Sequence, residues 1–412
     1  MADEPEPGDR TSRPFTLYAV AQSVSSTGTW MQRLGIGWLA WDLTQSTSWV
    51  GAMALTEIVA ALWVAPLAGV ITDRSNAFRV NLLFQCCGIA VSLLLYAVTA
   101  TGNMTIWLLW LLALADTTWQ GLSQPARMVS VGLLAGRKNM ARAIAASSIG
   151  FNVARAAGPA LAGLIIVNGG PALAFLCAAG TFMAMIAALL HLRTYLDRPG
   201  AATGADILQD IVGGYRYIAR TPAVATIFLL ALAFSVFGRP FTELFPAIAG
   251  EMFGGGPTIL SMLMSAQGVG ALLGGAWMLR RRSLPALVRL TCLTGLGMAG
   301  IIIAFSLVGG ANLALALIAA AGLCHVMCNI GMQSLAQLSS DISFRGRTMA
   351  LYGLIFRTGP AASAAVIGAA AEWLGLQLLL GTAAGLCVAA FLLIMTRRHG
   401  TLVARTSGAP PL

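Results

Sequence analysis

The sequence predicts an all-α membrane protein, with twelve transmembrane helices in two six-helix bundles related by pseudo-twofold symmetry. Three observations carry this. Of 412 residues, 58% are hydrophobic and only 10% charged, which is far from a soluble domain. Apolar runs recur with centres near residues 30, 60, 90, 115, 155, 182, 233, 268, 296, 323, 359 and 386. Each is about 20 residues long, enough to cross a hydrocarbon core of roughly 30 Å, and none alternates as a strand would. The third observation is where the basic residues fall.

Arg74 and Arg79 follow the second run, and Arg127, Arg137, Lys138 and Arg142 the fourth. Arg193, Arg198, Arg216 and Arg220 follow the sixth, Arg280, Arg281 and Arg282 the eighth, and Arg345 and Arg347 the tenth. Both tails are basic as well (Arg10, Arg13, Arg397, Arg398), whereas the odd-numbered gaps hold no Lys or Arg. Cytoplasmic loops retain basic residues, so both termini and every even loop are expected in the cytoplasm. The net charge of +10 therefore reports topology and excludes a nucleic-acid-binding reading.

In chain order, residues 1–14 form an N-terminal cytoplasmic tail without a signal-peptide pattern. Residues 15–193 form the first bundle. Its first run carries a polar stripe of Gln22, Ser25, Ser26, Thr29, Gln32 and Arg33 at helical spacing. The second carries Glu57, the fourth Asp116, Gln120, Ser123 and Arg127, and the fifth Ser148, Asn152 and Arg155. Residues 194–221 form a linker in which Ile207, Ile211, Val212, Tyr215 and Ile218 share one helical face and Asp210 and Arg216 the other. That pattern fits an amphipathic helix on the cytoplasmic surface, or simply a solvated linker. Residues 222–397 form the second bundle, with Arg239 and Glu243 in the seventh run, His325, Asn329 and Gln333 in the tenth and Arg357 in the eleventh. Residues 398–412 form the C-terminal tail. Arg155-Ala-Ala-Gly158-Pro159 pairs with Arg357-Thr-Gly359-Pro360, and Arg33 with Arg239, as a parallel repeat would require.

Ionisable residues in a membrane span are functional candidates by default. Arg33, Glu57, Asp116, Arg155, Arg239, His325 and Arg357 all fall roughly 12 to 17 residues from the nearest outer turn, so about 18 to 26 Å deep and in one layer. Glu57, Asp116 and His325 are candidates for proton coupling, since a carboxyl in low dielectric can titrate near neutrality. Gln32, Arg33, Asn152, Arg155, Arg239, Asn329 and Arg357 are candidates for substrate binding. Plainer readings stand beside these: Arg239 and Glu243 lie one turn apart and can neutralise each other, Arg33 and Glu57 can form a static pair, and small polar residues glue helices together. The excess of arginines over carboxylates hints at an anionic or acceptor-rich substrate. All seven cysteines lie in apolar runs and read as packing residues. Cys324-His325-x-x-Cys328 lacks the second cluster a zinc site needs, so neither metal nor cofactor is expected.

The turn after the second run, Gly69-x-x-x-Asp73-Arg74, resembles the signature loop of the major facilitator superfamily of transporters. The resemblance covers about residues 15 to 397 and implies the major facilitator fold. It assigns Gly69, Asp73 and Arg74 to the cytoplasmic gate, with Arg79 substituting for basic residues usual where Asn76, Ala77 and Phe78 stand. Ala154-Arg155-Ala-Ala-Gly158-Pro159 is similar to the antiporter motif of drug–proton exchangers, which adds Gly158 and Pro159 to the gating residues. Thr117 occupies the position of that group's proton-linked arginine, and Arg155 is a candidate replacement. Gly28-Thr-Trp-Met-Gln32, Gln124-Pro-Ala-Arg127 and Arg345-Gly-Arg-Thr-Met-Ala-Leu-Tyr-Gly353 resemble the branch containing enterobactin and macrolide exporters.

The resemblance implies a transporter, not an enzyme, in the bacterial cytoplasmic (inner) membrane. The expected activity is export of a siderophore or a drug such as a macrolide by alternating access, in exchange for protons. A lipid or lysolipid flippase, or an uptake symporter of the same fold, is the alternative. Expected partners are the small-molecule substrate, protons and membrane lipids, without nucleic acid, and a monomer can suffice. No Gly-x-x-x-x-Gly-Lys loop is present to couple ATP.

Overall fold

The computed structural model describes residues 12–74, 76–196, 207–278, 283–341 and 344–404. The signature-loop side chains Gly69, Asp73 and Arg74, like Arg198 and Arg280 to Arg282, lie outside the described residues. Helices account for nearly all of the rest: α1 (Ser12–Thr44), α2 (Thr47–Arg74), α3 (Ala77–Ala100), α4 (Ile106–His191), α5 (Arg193–Leu196) and α6 (Ile207–Arg220). They continue as α7 (Pro222–Ala233), α8 (Phe245–Ala247), α9 (Pro257–Met278), α10 (Leu284–Ser306), α11 (Ala311–Ser339), α12 (Arg345–Leu374) and α13 (Leu376–Ala404).

Among the described residues, eight helical segments are long and apolar enough to cross a membrane. One of them, Arg142–His191, is 50 residues long, about twice what a single crossing needs. It belongs to α4, into which the fourth, fifth and sixth apolar runs merge; the backbone leaves helical geometry at Gly136 (φ 66°) and Gly170 (φ 77°). Glycine tolerates this left-handed region, so one residue does the work of the loops expected from the sequence. The polar stripe of α1 and the tryptophans and Asp116 near the start of α4 make those two stretches less apolar than the other spans.

The seventh run departs further from expectation. Instead of one continuous helix, α7 gives way to a π-turn (Phe234–Gly238), a 3₁₀ turn (Pro240–Thr242), α8 and a second π-turn (Ile248–Met252). Pro240 and Pro246 lack the N–H that a regular helix would use, so the hydrogen-bond ladder cannot run through. Arg239 and Glu243 therefore flank a broken segment and do not stack along a regular turn.

The contacts define two compact units, Met1–Leu39 with Val59–Gly204 and Ala40–Ile58 with Ala205–Leu412. In the first, Tyr18, Phe78, Leu134, Met185, Leu189 and Leu196 form a buried cluster, and Trp119 meets Phe182 edge-on at 5.4 Å. Small residues bring the helices close: a Cβ at Gly158 would come within 2.6 Å of the Trp30 Cβ and 2.8 Å of the Thr27 carbonyl.

In the second unit, the hairpin joining α1 and α2 packs on α12. Thr47 Oγ1 donates to the Gly368 carbonyl at 2.9 Å, Ser46 Oγ donates to Glu372 at 2.5 Å, and a Cβ at Gly51 would lie 2.6 Å from the Ala364 carbonyl. The linker helix α6 docks at the start of α12. The Tyr217 ring stacks on Phe344 at 4.5 Å, its hydroxyl accepts the Asp341 N–H at 2.9 Å, and the Arg347 guanidinium covers Phe344 at 5.4 Å.

Candidate functional site

Two kinds of polar site emerge from the residues that the sequence groups into one layer. The first is sealed. Gln32 is fully buried (0% exposed); its Nε2 donates to Asp116 Oδ1 at 2.8 Å, and its Oε1 accepts from Ser92 Oγ at 2.5 Å. Asp116 also accepts from Trp119 Nε1 and Gln120 Nε2, both at 2.8 Å. A buried carboxylate with three donors is a satisfied network that ties α1, α3 and the first part of α4 together. Gln32 thus faces neighbouring helices and not a ligand surface. Ser25, bonded to Gln85 at 3.5 Å, belongs to the same interhelical seam.

The second kind is open. On the other side of α1, Arg33 is exposed, while Trp30 and Arg155 are half-buried. The Arg33 guanidinium lies 5.6 Å from the Trp30 ring centroid and that of Arg155 5.5 Å from it. Phe151 meets the same indole edge-on at 6.0 Å and 63°. Asn152 stands one turn before Arg155 and donates to its own helix at the Ser148 carbonyl, 2.8 Å away. Trp30 and Phe151 were not singled out from sequence, although Trp30 stands three residues before Arg33, on the same helical face.

In the second unit, Arg357 Nε donates to Glu57 Oε2 at 2.5 Å, in an ion pair with side-chain exposures of 40% and 18%. Glu57 and Arg357 are 300 positions apart, and matched depth alone pointed to Arg33 as the partner of Glu57. Arg239 Nη1 donates to the Phe356 carbonyl at 2.7 Å, and its guanidinium lies over the Phe356 ring at 4.9 Å. The reason lies four residues on. Pro360 has no N–H, so the carbonyl of Phe356 loses its helical partner, and Arg239 supplies one. Ser235 Oγ reinforces the joint by donating to the Ile355 carbonyl at 2.7 Å.

Phe356 stacks on Tyr352 at 4.7 Å and 22°, and the Tyr352 hydroxyl reaches Asn329 Oδ1 at 2.9 Å. His325 is buried (2% exposed) with its ring 5.9 Å from Phe234. Of the expected gating residues, Arg79 is exposed at the start of α3, and Gly158 and Pro159 are buried where α4 packs on α1.

Long apolar helices that carry charged residues within their spans define a polytopic membrane protein, and similarity to known proteins gives its class. The transmembrane secretion effector family matches residues 11–404, and the chain belongs to that family of major facilitator transporters, which are not enzymes. It is 26% identical to YfiS of Bacillus subtilis (strain 168), an uncharacterized major-facilitator-type transporter, over 398 residues, 90% of this chain and 89% of the relative. It is also 26% identical over 332 residues to the enterobactin exporter EntS of Shigella boydii serotype 4 (strain Sb227), 79% of this chain and 77% of the relative. Solved structures share its fold. One is a POT family transporter in complex with 5-aminolevulinic acid (TM-score 0.75, 12% identity, 94% of this chain and 96% of that one). Another is a bacterial homologue of the human lysosomal transporter Spinster (TM-score 0.66, 13% identity, 96% and 98%). The chain is thus an all-helical, multi-pass membrane protein with the major facilitator fold.

Proposed function

We propose that this protein is a secondary active exporter of an amphipathic small molecule, a siderophore or a drug such as a macrolide, driven by proton exchange across the bacterial inner membrane. In this reading both termini are cytoplasmic, and the bundles 15–193 and 222–397, joined by the 194–221 linker, move in alternating access. The observation that carries the reading is the depth and openness of Arg33 and Arg357. Both are exposed within long helices of an apolar chain, many residues from either helix end. A guanidinium exposed at that depth is expensive against lipid and fits a water-filled pathway.

Coupling needs a group whose protonation changes its contacts. Glu57 meets this requirement: a proton on its carboxylate and a full ion pair with Arg357 exclude one another. Asp116 and His325 remain the other proton-coupling candidates, Asp116 through the Gln32–Trp119–Gln120 network. Arg33, Asn152, Arg155, Asn329, Arg239 and Arg357 are proposed to line the pathway, and Gly69, Asp73, Arg74, Arg79, Gly158 and Pro159 to form the cytoplasmic gate. The similarity to an enterobactin exporter supports the outward direction and the substrate size.

The test is accumulation of siderophores, macrolides and cationic dyes in an efflux-deficient host, with and without a protonophore. Reduced accumulation that the protonophore reverses is expected for one class. Uptake in place of efflux would replace the reading by a symporter. Lipid movement independent of the gradient would replace it by a flippase.

A further inference from the structure

We propose that Trp30, flanked by the guanidiniums of Arg33 and Arg155, makes the first unit's open site select planar aromatic anions. This rests on the transport reading above and names its substrate class. Three features of the geometry point the same way. First, two guanidiniums address one indole, at 5.6 and 5.5 Å from its centroid. The indole meanwhile offers a π-surface that carries no charge of its own.

Second, the patch is open. Arg33 is exposed and Phe151 is 50% exposed, so both the charge and an aromatic edge are within reach of a ligand. Phe151 stands edge-on to Trp30 at 63°. A flat aromatic ligand can extend this aromatic pair by offset or edge contacts while its anionic group meets the arginines. Guanidinium also stacks, and binds carboxylate through a planar fork, so it can use both parts of such a ligand.

Third, α1 packs tightly on α4 at this point. A Cβ at Gly158 would come within 2.6 Å of the Trp30 Cβ, so the turn that carries Trp30 is fixed against the helix that carries Arg155. The second unit also sets an arginine over an aromatic ring, Arg239 over Phe356 at 4.9 Å, and there the guanidinium donates to the Phe356 carbonyl as well.

The experiment uses the full chain in lipid nanodiscs and calorimetric titration with 2-naphthoate. Comparison ligands are decahydro-2-naphthoate, with the same charge and no π-system, and 2-naphthol, with the ring system and no charge at neutral pH. The wild type is expected to prefer naphthoate over its saturated analogue about tenfold, and to bind naphthol more weakly still. Trp30→Leu should bring the two carboxylates within about twofold of each other, while Trp30→Phe, which keeps an aromatic ring, should retain part of the preference. Arg155→Gln should weaken both carboxylates together, and Arg155→Lys should recover them only in part.

Equal wild-type affinity for the two carboxylates, no binding of either, or a preference unchanged in Trp30→Leu would overturn the proposal. Efflux in proteoliposomes is scored separately. Gradient-driven export of other compounds without aromatic preference sinks this inference and leaves the transport reading standing. Preferential naphthoate binding without any transport does the reverse.

Discussion

Replacing Arg239 by methionine is expected to destabilise the second unit because it uncovers the Phe356 carbonyl that Pro360 has already deprived of its helical donor. The lost bond is charge-assisted and 2.7 Å long; such bonds contribute about 1.5–3 kcal/mol, and the stacked cation adds about 0.5–2 kcal/mol. A total loss of about 2–5 kcal/mol follows, or roughly 4–20 °C in Tm at about 2–4 °C per kcal/mol for a unit of this size. The sharper test is a double-mutant cycle with Pro360→Ala. Alanine restores an N–H that can reach the Phe356 carbonyl, so in that background Arg239→Met should cost about 1–2 kcal/mol less. Thermal unfolding of the four proteins in one detergent, followed by intrinsic fluorescence, measures the coupling. Equal losses in both backgrounds would show that capping this carbonyl is not what Arg239 contributes.

Three further outcomes are expected. Glu57→Gln should keep ligand binding and abolish gradient-driven accumulation, since the amide can neither ionise nor exchange a proton; normal pumping in proteoliposomes with an imposed pH gradient would remove Glu57 from the coupling role. Gln32→Leu should cost about 1–3 kcal/mol by stripping a donor from the buried Asp116 carboxylate, and Gln32→Leu/Asp116→Leu less than the sum of the two single changes, again read by thermal unfolding. Tyr217→Phe keeps the stack on Phe344 and loses only the hydroxyl contact with the Asp341 N–H, for about 0.5–1.5 kcal/mol, whereas Tyr217→Ala should release α6 and speed proteolysis between the bundles. Protease sensitivity identical to wild type in Tyr217→Ala would mean that other contacts hold the linker helix.

Much of this protein is legible in its sequence because the membrane simplifies the problem. Lipid admits only elements that satisfy their own backbone, so apolar run length alone announces helices, and the bias of Arg and Lys toward alternate gaps predicts their orientation. Motif residues around Gly69, Gly158 and Arg345 carried the family assignment. Depth was predictable as well, since a helix converts residue count into an expected distance. Rotation was not. Gln32 and Arg33 are neighbours in one stripe, yet Gln32 is sealed against Ser92 and Asp116 while Arg33 is open beside Trp30. About 100° of helical turn separates consecutive residues, and that is enough to divide a packing residue from a candidate ligand contact.

The same limit explains the pairings. Matched depth offered Arg33 to Glu57, but the structure gives Glu57 an ion pair with Arg357, on a helix that only the tertiary fold brings near. The seventh run was expected as one helix, and the place of Arg239 in its broken segment, beside the carbonyl freed by Pro360, depends on two segments 117 residues apart. The sequence by itself determined the solvent and the helical class, and set an expected depth for each charge, because these follow from local hydrophobicity and helical rise. The tertiary structure decided which charges are sealed, which are open and which meet, because side-chain direction and helix neighbours are set only when the whole bundle packs.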